Sequence, residues 1–414
     1  MAFMLVCVLV FTISVCKAQP AAAPAIYVFG DSFMDVGNNN YLLLSVVKAN
    51  FPHNGIDFPN SKPTGRFSNG KNIADFLVKE IGLPTPPPYL SLVGGATPPI
   101  TGVSFASGGG GILNESGRII AIQALSLGQQ VDYFTMVRDR LVRQLGPSGA
   151  QAHLSVGINL DRVGYGSTYG SRVMVMDLNV LLILDWLGFG RFIRTCTLVN
   201  YMHVCIVGPE PTLSKSLFPI VIGTNDLFAY FTVGSLVAKL YTPQQYVDRM
   251  LSTFKGLFKT LYGLGAQKLV VTGVPAIGCC PIQRRTNRTG ECNVELNNMA
   301  IKYNDGLKMI LQGLKSELPG MNSAYFDYYG AWVSLFQNET YGFTEIKEAC
   351  CGLGNLNADV LCIPIARFCP NRKNHFFWDR VHPTEAAATF FSDMLYSGSQ
   401  QFMVPMNVEQ LLAG

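Results

Sequence analysis

Short apolar runs that stop at glycine or at a polar residue recur along the chain. The first, residues 25–29, is apolar at every position and ends at Gly30-Asp31-Ser32. A short run without polar positions, closed by glycine, is typical of a strand buried on both faces of a parallel sheet. The pattern predicts five buried strands, the last of them the weakest. The other four runs, each counted with the residues that close it, lie at residues 103–112, 217–223, 268–273 and 324–327.

Helical patterns separate these runs. Apolar residues recur at spacings of three and four in residues 72–81, 119–145, 243–264 and 294–317, and this spacing is typical of amphipathic helices. Strands that alternate with helices predict an α/β sandwich with a parallel sheet. Because ligands of such proteins bind at the carboxyl ends of the strands, residues at these ends are the first candidates for a functional site.

Three such candidates follow the first three predicted strands in order: Ser32, Gly109 and Asn225. A serine just after a strand can act as the nucleophile of an ester hydrolase if a base takes its proton. The motif GxSxG does not occur in the sequence, which argues against the α/β-hydrolase family. Serine after Gly-Asp is also common in an ordinary turn or helix cap. Both interpretations remain open at this point.

A base for Ser32 has to be sought among five histidines, at positions 53, 153, 203, 375 and 382. His382 lies three residues after Asp379, in a segment that precedes a predicted helix beginning near Glu385. At this spacing a carboxylate can contact the imidazole on one turn of the chain and select its tautomer. An Asp–His pair in an ordinary loop is the alternative interpretation.

Four sequence blocks surround these residues, at positions 28–40, 102–112, 222–226 and 379–383, and three further segments lie at 64–70, 274–279 and 296–304. With these blocks, in this order, the chain resembles the plant GDSL esterase/lipases. They belong to the SGNH hydrolase superfamily, which is named for its Ser, Gly, Asn and His blocks. Phe33 replaces the usual Leu of the first block. The resemblance covers nearly the whole chain.

The resemblance implies a fold and a set of roles. The fold is a three-layer α/β/α sandwich with a mainly parallel, flavodoxin-like sheet, formed by a single domain over residues 25–400. Ser32 would attack the ester carbonyl, His382 would transfer its proton, and Asp379 would orient His382. The backbone N–H groups of Ser32 and Gly109 and the side-chain amide of Asn225 would hold the oxyanion. Gly109 is chosen from residues 108–111 because the family usually has Asn five residues earlier, at the position of Ser104.

The implied function is hydrolysis of small-molecule or lipid carboxylic esters by a serine esterase or lipase without a metal or organic cofactor. One alternative is an acyltransferase of the same fold, which passes the acyl group from Ser32 to an alcohol. Another is a catalytically silent extracellular binding protein. A metal-dependent phosphoesterase is disfavoured because no cluster of His and Asp surrounds the first block.

Composition agrees with a globular enzyme and narrows the expected partners. The 414 residues are 49% apolar and 14% charged, which allows a large core. The net charge of +4 is spread along the chain without a basic stripe interleaved with aromatic residues. We therefore expect no nucleic-acid partner.

The amino-terminal residues predict export. Residues 1–18 contain an apolar run of about 14 residues and end in the small residue Ala18, a pattern typical of a signal peptide that is cleaved after Ala18. An uncleaved anchor is the alternative. Asn114, Asn287 and Asn338 begin glycosylation sequons. Nine cysteines follow the signal, most of them in the last third, where disulfides would staple loops and leave at least one thiol unpaired. We expect a secreted, extracellular glycoprotein, in the cell wall or apoplast if the source is a plant.

Residues 156–214 depart from the family pattern, because joining Ser155 to Lys215 restores it. We interpret this atypical insertion as translated intron sequence. A membrane span is a weaker interpretation, since Asp177, Asn179 and Asp185 interrupt the short apolar run. A substrate lid is the third.

Overall fold

The computed structural model describes residues 10–16, 22–154, 199–205 and 213–414. The chain divides into two units, the first formed by residues 1–20 and 157–209 and the second by residues 21–156 and 210–414. In the first unit, the described residues form a two-stranded parallel sheet of Val10–Cys16 and Val199–Cys205. Apart from these strands and residues 213–214, the predicted signal peptide and the predicted insertion lie outside the described residues.

The second unit is built around a six-stranded sheet. The described strands of the unit are β1 (Ile26–Gly30), β2 (Gly102–Ser104), β3 (Leu217–Val221), β4 (Lys268–Thr272), β5 (Asn322–Phe326), β6 (Glu345–Ala349), β7 (Cys351–Gly352), β8 (Arg367–Phe368), β9 (His375–Phe377) and β10 (Met403–Val404). The parallel strands of the sheet lie in the order β2-β1-β3-β4-β5, and β10 pairs antiparallel with β5 at the edge. This order is that of a flavodoxin-like sheet, so the predicted fold class and all five predicted strands are confirmed.

Helices cover the sheet in two groups. The described helices of the unit are α1 (Ile73–Ile81), α2 (Asn114–Ala121), α3 (Leu127–Leu154), α4 (Thr224–Phe231), α5 (Leu236–Leu240), α6 (Pro243–Gly263), α7 (Pro281–Arg284), α8 (Val294–Glu317), α9 (Tyr328–Gln337), α10 (Glu385–Ser397) and α11 (Val408–Ala413). In the first group α6 contacts both α3 and α8, and in the second α10 contacts both α1 and α11, so that the unit has three layers. None of these described helices is both long enough and apolar enough to cross a membrane.

The predicted helix over residues 119–145 is wrong as a single element. The structure has two helices there, α2 and α3, which are separated at Ile122, where φ is 64°. The N–H of Leu125 is bound by the hydroxyl of Ser107 (3.0 Å), and Ser126 and Gln129 then cap α3 reciprocally. A contact from a distant loop therefore breaks a helix that the apolar spacing alone would continue. The predicted helices at residues 72–81, 243–264 and 294–317 are confirmed within one residue at each end.

Three disulfides join residues of the carboxyl-terminal third: Cys279–Cys292, Cys350–Cys369 and Cys351–Cys362. Cys280 is a free, buried thiol. The N–H groups of Cys350 and Cys351 donate to the carbonyls of Phe377 (2.9 Å) and Trp378 (2.7 Å). The disulfides of Cys350 and Cys351 therefore cross-link a loop that packs directly against the segment leading to Asp379 and His382.

Candidate active site

Ser32 lies two residues beyond the carboxyl end of β1. The chain turns there because Gly30 has a φ of 151°, and a Cβ at this position would overlap the carbonyl oxygen of Val221 on β3. The N–H of Asp31 donates to that carbonyl (3.0 Å), and the N–H of Met34 donates to the carbonyl of Asp31 (3.1 Å). These bonds hold the turn that carries Ser32, a residue that is 7% exposed.

Asp379 and His382 lie in the loop between β9 and α10. Asp379 Oδ1 accepts the backbone N–H groups of Val381 and His382, each at 2.8 Å, and Oδ2 lies 2.7 Å from His382 Nδ1. The carboxylate therefore closes the turn and contacts the ring at the same time. Because Nδ1 faces a carboxylate, it carries the ring proton, and Nε2 is left as an acceptor.

His382 Nε2 lies 2.7 Å from the hydroxyl oxygen of Ser32, across 350 positions of sequence. The rings of Phe33 and Phe67 flank the imidazole, with centroids 5.8 and 5.0 Å from it. His382 is 8% exposed. The residues predicted as nucleophile, base and orienting group thus form one hydrogen-bonded chain, Ser32–His382–Asp379, that is largely shielded from water.

The electrostatics of this chain favour an ionised Asp379. Burial by itself would raise the pKa of this carboxyl, but the charge and hydrogen bond of His382 and the two backbone N–H groups outweigh burial and lower it. A carboxylate that stays ionised keeps the proton on His382 Nδ1, so Nε2 can accept a hydrogen bond from the Ser32 hydroxyl.

Gly109 lies in the segment after β2, residues 107–113, which we call the glycine loop. Its φ is 79°, and a Cβ would come within 2.7 Å of the Ala121 side chain, so glycine is required here. The N–H of Gly108 donates to Asp35 (2.9 Å) and that of Gly110 to the carbonyl of Ser107 (2.9 Å). Among the described residues, the N–H groups of Ser32, Gly109 and Gly111 have no acceptor.

Asn225 lies in the first turn of α4, which follows β3 at the same edge of the sheet because the strand register places Gly30 opposite Val221. Its side-chain nitrogen donates one hydrogen bond, to the carbonyl of Gly110 (2.9 Å). The second N–H of this amide has no acceptor among the described residues. The structure therefore brings Asn225 to the glycine loop and leaves it a free donor.

The predictions missed a set of buried polar residues around the site. Asp35 and Asp226 bind N–H groups of the glycine loop, and Gln130 bonds both the N–H and the carbonyl of Gly30, at 2.9 and 2.8 Å. Asn39 donates to the carbonyl of Gly108 (2.7 Å). The sequence carried one signal for the two aspartates. Each lies within three positions of a predicted site residue, in a segment that is otherwise buried, and a buried charge needs hydrogen-bond partners.

Asp31, next to Ser32, is fully buried. Its Oδ1 accepts the N–H of Phe33 (3.1 Å), whereas Oδ2 has no hydrogen-bond partner among the described residues. Burial, reinforced by the charges of Asp226 and Asp35, raises the pKa of Asp31 to about 8. Near neutral pH this carboxyl is therefore mainly protonated and uncharged.

The other candidates lie away from this chain of contacts. His53 contacts the carbonyl of Pro364 (3.2 Å) and His375 that of Asn371 (2.9 Å), while the side chains of His153 and His203 lie outside the described part of the chain. Of the sequon residues, Asn287 and Asn338 each bind the threonine hydroxyl of their own sequon, at 2.9 and 2.7 Å, and Asn114 binds Ser126 (2.6 Å). The described residues contain no cluster of three or more His, Cys, Asp or Glu that could bind a metal.

The sequence matches the GDSL-like Lipase/Acylhydrolase family over residues 26–395. A GDSL esterase/lipase of Arabidopsis thaliana is 39% identical over 404 residues, which cover 95% of this chain and 91% of that protein. The GDSL esterase/lipase 7 of the same plant is 30% identical over 95% of this chain and 93% of its own. A solved acetylxylan esterase from Geobacillus stearothermophilus, in a catalytic mutant, aligns with a TM-score of 0.25 and 15% identity, covering 43% of this chain and 57% of its own. This chain belongs to the GDSL-like lipase/acylhydrolase family and is a carboxylic ester hydrolase.

Proposed function

We propose that the protein is a secreted serine esterase or lipase that uses Ser32 as nucleophile, His382 as base and Asp379 as the group that orients His382. The observation that carries the proposal is the 2.7 Å contact between Ser32 Oγ and His382 Nε2. In an ester hydrolase this contact lets the imidazole take the hydroxyl proton as the oxygen attacks. No cofactor has a role in these steps.

In the first half of the reaction, Ser32 Oγ bonds to the ester carbonyl carbon while its proton passes to His382 Nε2. The carbonyl oxygen becomes negatively charged in the tetrahedral intermediate. When the intermediate collapses, the bond to the alcohol oxygen breaks and that oxygen takes the proton from Nε2. The products of this half are the free alcohol and an acyl group on Ser32.

The charge on the oxygen would be stabilised by the N–H groups of Ser32 and Gly109 and by the amide of Asn225. Support for this role comes from their free donors, which have no acceptor among the described residues. Donors that are fixed before the reaction lower the barrier because they need no reorganisation as charge develops, and one such donor typically contributes about 100- to 1,000-fold in rate.

In the second half, water gives a proton to His382 and attacks the acyl group, which leaves as the acid while Ser32 regains its proton. An alcohol in place of water would make the same protein an acyltransferase. Product analysis separates the two: free acid is expected with an ester substrate and added alcohols, whereas a dominant transferred ester would favour the acyltransferase.

Export and glycosylation belong to the same proposal. The three disulfides support an oxidising compartment. The sequon residues Asn114, Asn287 and Asn338 are exposed, so a glycan can be accommodated at each. Amino-terminal sequencing of the secreted protein is expected to begin at Gln19, and an amino terminus at Met1 would contradict the cleavage.

The direct test of the proposed hydrolase is the release of 4-nitrophenol from 4-nitrophenyl butanoate by wild type, Ser32→Ala and Ser252→Ala. Ser252 is an exposed serine on α6 and serves as the matched control. We expect Ser32→Ala to lose hydrolysis while its circular dichroism and melting temperature stay near those of wild type, and Ser252→Ala to keep full activity. Full activity of Ser32→Ala would refute the assignment, and an inactive, folded wild type would favour the silent binding protein.

A further inference from the structure

Two carboxylates stand beside proposed site residues without being part of the proposed catalytic chain. Asp35 lies three residues after Ser32, and Asp226 directly follows Asn225. Both side chains are fully buried. Neither has a Lys, Arg or His partner among the described residues, since all the ion pairs there involve other carboxylates. A buried charge without a counter-ion has to be held by hydrogen-bond donors.

Asp35 takes its donors from two loops. Its Oδ1 accepts the N–H groups of Gly37 and Asn38, each at 2.7 Å, and its Oδ2 accepts the N–H of Gly108 at 2.9 Å. The first two bonds fix the carboxylate relative to the segment that carries Ser32. The third reaches across to the glycine loop, at the residue immediately before Gly109.

Asp226 holds the other end of the glycine loop. Its Oδ2 accepts the N–H of Ile112 (2.8 Å), and its Oδ1 accepts the N–H of Leu113 (2.9 Å) and the hydroxyl of Ser116 (2.6 Å). A Cβ on Gly111 would lie within 2.9 Å of both carboxylate oxygens, so glycine is needed for this close approach.

The two carboxylates therefore hold the glycine loop by hydrogen bonds on both sides of Gly109. Asp35 extends from the segment of Ser32 and Asp226 from that of Asn225, so the three proposed oxyanion donors are tied to one another. The carboxylates use the N–H groups of Gly108, Ile112 and Leu113 and leave that of Gly109 free. We propose that Asp35 and Asp226 are positioning residues that set the place of the Gly109 N–H relative to Ser32 and Asn225, an inference that rests on the proposed function.

The electrostatics support this role. Burial raises the pKa of Asp35 and of Asp226 to about 6, although the bound N–H groups act in the opposite direction. Asp31, Tyr246 and Tyr303 lie close enough to Asp226 to interact with its charge, and Asp31 interacts in the same way with Asp35. A protonated carboxyl is a weaker acceptor of N–H groups, so acidification weakens the hydrogen bonds between the two carboxylates and the glycine loop.

The test replaces each carboxylate by its amide, in Asp35→Asn and Asp226→Asn. An amide has almost the same shape, but its NH2 group would face an N–H donor of the glycine loop. We expect kcat for 4-nitrophenyl butanoate to fall by about 10- to 100-fold with KM changed much less, because a shift of about 1 Å in a positioned group costs on that order.

A second readout separates misplacement of the donors from a general loss of structure. The ester is compared with its thiono analogue, in which sulfur replaces the carbonyl oxygen. Sulfur is a weak acceptor, and donors placed for an oxyanion fit the longer C–S bond poorly, so wild type is expected to prefer the oxygen ester strongly. Both Asn variants are expected to lose most of this preference. If a variant does not fold, the preference is measured at pH 5 and pH 8 in Asp31→Asn, in which residue 31 cannot titrate. Protonation of Asp35 and Asp226 is then expected to make the preference smaller at pH 5, and an unchanged preference would contradict the inference.

Two controls complete the experiment. Asp75→Asn removes a buried carboxylate that binds Arg66 (2.6 Å) and does not touch the glycine loop, and Asp248→Asn removes an exposed one. Asp75→Asn is expected to lower the melting temperature and keep the preference for the oxygen ester, and Asp248→Asn to change neither. Folded Asp35→Asn and Asp226→Asn proteins with wild-type kcat and preference would overturn the inference and leave the proposed function intact. Wild type that neither hydrolyses the ester nor reacts at Ser32 would overturn the proposed function itself.

Discussion

Asp379 and His382 contribute differently to the hydrogen-bonded chain, although they lie three residues apart. His382 transfers the proton in the proposed mechanism, so its loss removes the base. Asp379 orients the ring, so its loss leaves a base in a poorer geometry. We predict that His382→Ala lowers kcat by about 10⁵- to 10⁶-fold and that Asp379→Asn lowers it by about 10⁴-fold. Steady-state kinetics on folded variants measure both, and equal activity of Asp379→Asn and wild type would contradict the orienting role.

The buried carboxyl of Asp31 makes the stability of the protein depend on pH. An ordinary aspartate carboxyl has a pKa of 3.8, whereas the pKa of Asp31 in the folded protein is about 8, because burial favours the neutral form. The folded state therefore holds this proton more tightly than the unfolded state, so rising pH destabilises the fold between pH 3.8 and 8. Below pH 3.8 Asp31 does not lower the free energy of unfolding, and above pH 8 the amount by which it lowers that free energy stays constant.

Asp31→Asn keeps the shape of the side chain and cannot ionise, so it removes this penalty. We predict a melting temperature above that of wild type at pH 8, by at least about 2 °C, with the difference shrinking towards pH 4. Asp248→Asn, at an exposed carboxylate, should show no such trend. A destabilisation by Asp31→Asn that is largest at pH 8 would show that the carboxyl is charged there.

At the scale of elements, the stapled loop between β6 and β9 supports the segment that leads to Asp379. We predict that Cys351→Ser combined with Cys362→Ser lowers the free energy of unfolding by about 2–4 kcal/mol. The double variant should also have reduced activity, because the disulfide fixes the segment whose backbone N–H, at Cys351, donates to the carbonyl of Trp378. Chemical denaturation measures the first effect and kcat the second. Cys280→Ala, which leaves the disulfides intact, is the control and should retain activity. Unchanged stability of the double variant would contradict the role of the staple.

The strands and most helices could be predicted from the sequence, but the break between α2 and α3 could not. The parallel strands were predictable because each is a short apolar run closed by glycine or a polar residue, and α6 was predictable because apolar residues recur along it at spacings of three and four. The break between α2 and α3 was not, because it depends on the Ser107 hydroxyl, which reaches Leu125 only in the folded protein. Local periodicity carries no information about such a contact.

The same limit applies to the site. Ser32, Asp379 and His382 could be named from local spacing and family resemblance, because each lies in a distinctive block. The roles of Asp35 and Asp226 depend on which N–H groups the folded glycine loop presents to them. That pairing is a property of the assembled sheet edge, so no spacing in the chain could reveal it.

For the molecule as a whole, the interpretation of residues 156–214 as translated intron sequence remains a prediction. We expect the mature transcript to join the codons of Ser155 and Lys215, and tryptic peptides of the purified native protein to lack this segment. Sequencing of the transcript and peptide mass spectrometry provide the two measurements. Peptides from residues 156–214 in an active protein would contradict the interpretation and favour a lid.

The Ser32 hydroxyl, which follows the first strand of the sheet, and the His382 imidazole, in the loop between β9 and α10, are proposed to act together on an ester. Reaction with a fluorophosphonate tests this pairing when the protein, with Ser155 joined to Lys215, is mapped by its peptides afterwards. We expect a single labelled residue, Ser32, and little labelling in His382→Ala. A label on any other residue, or an active protein that does not react at Ser32, would contradict it.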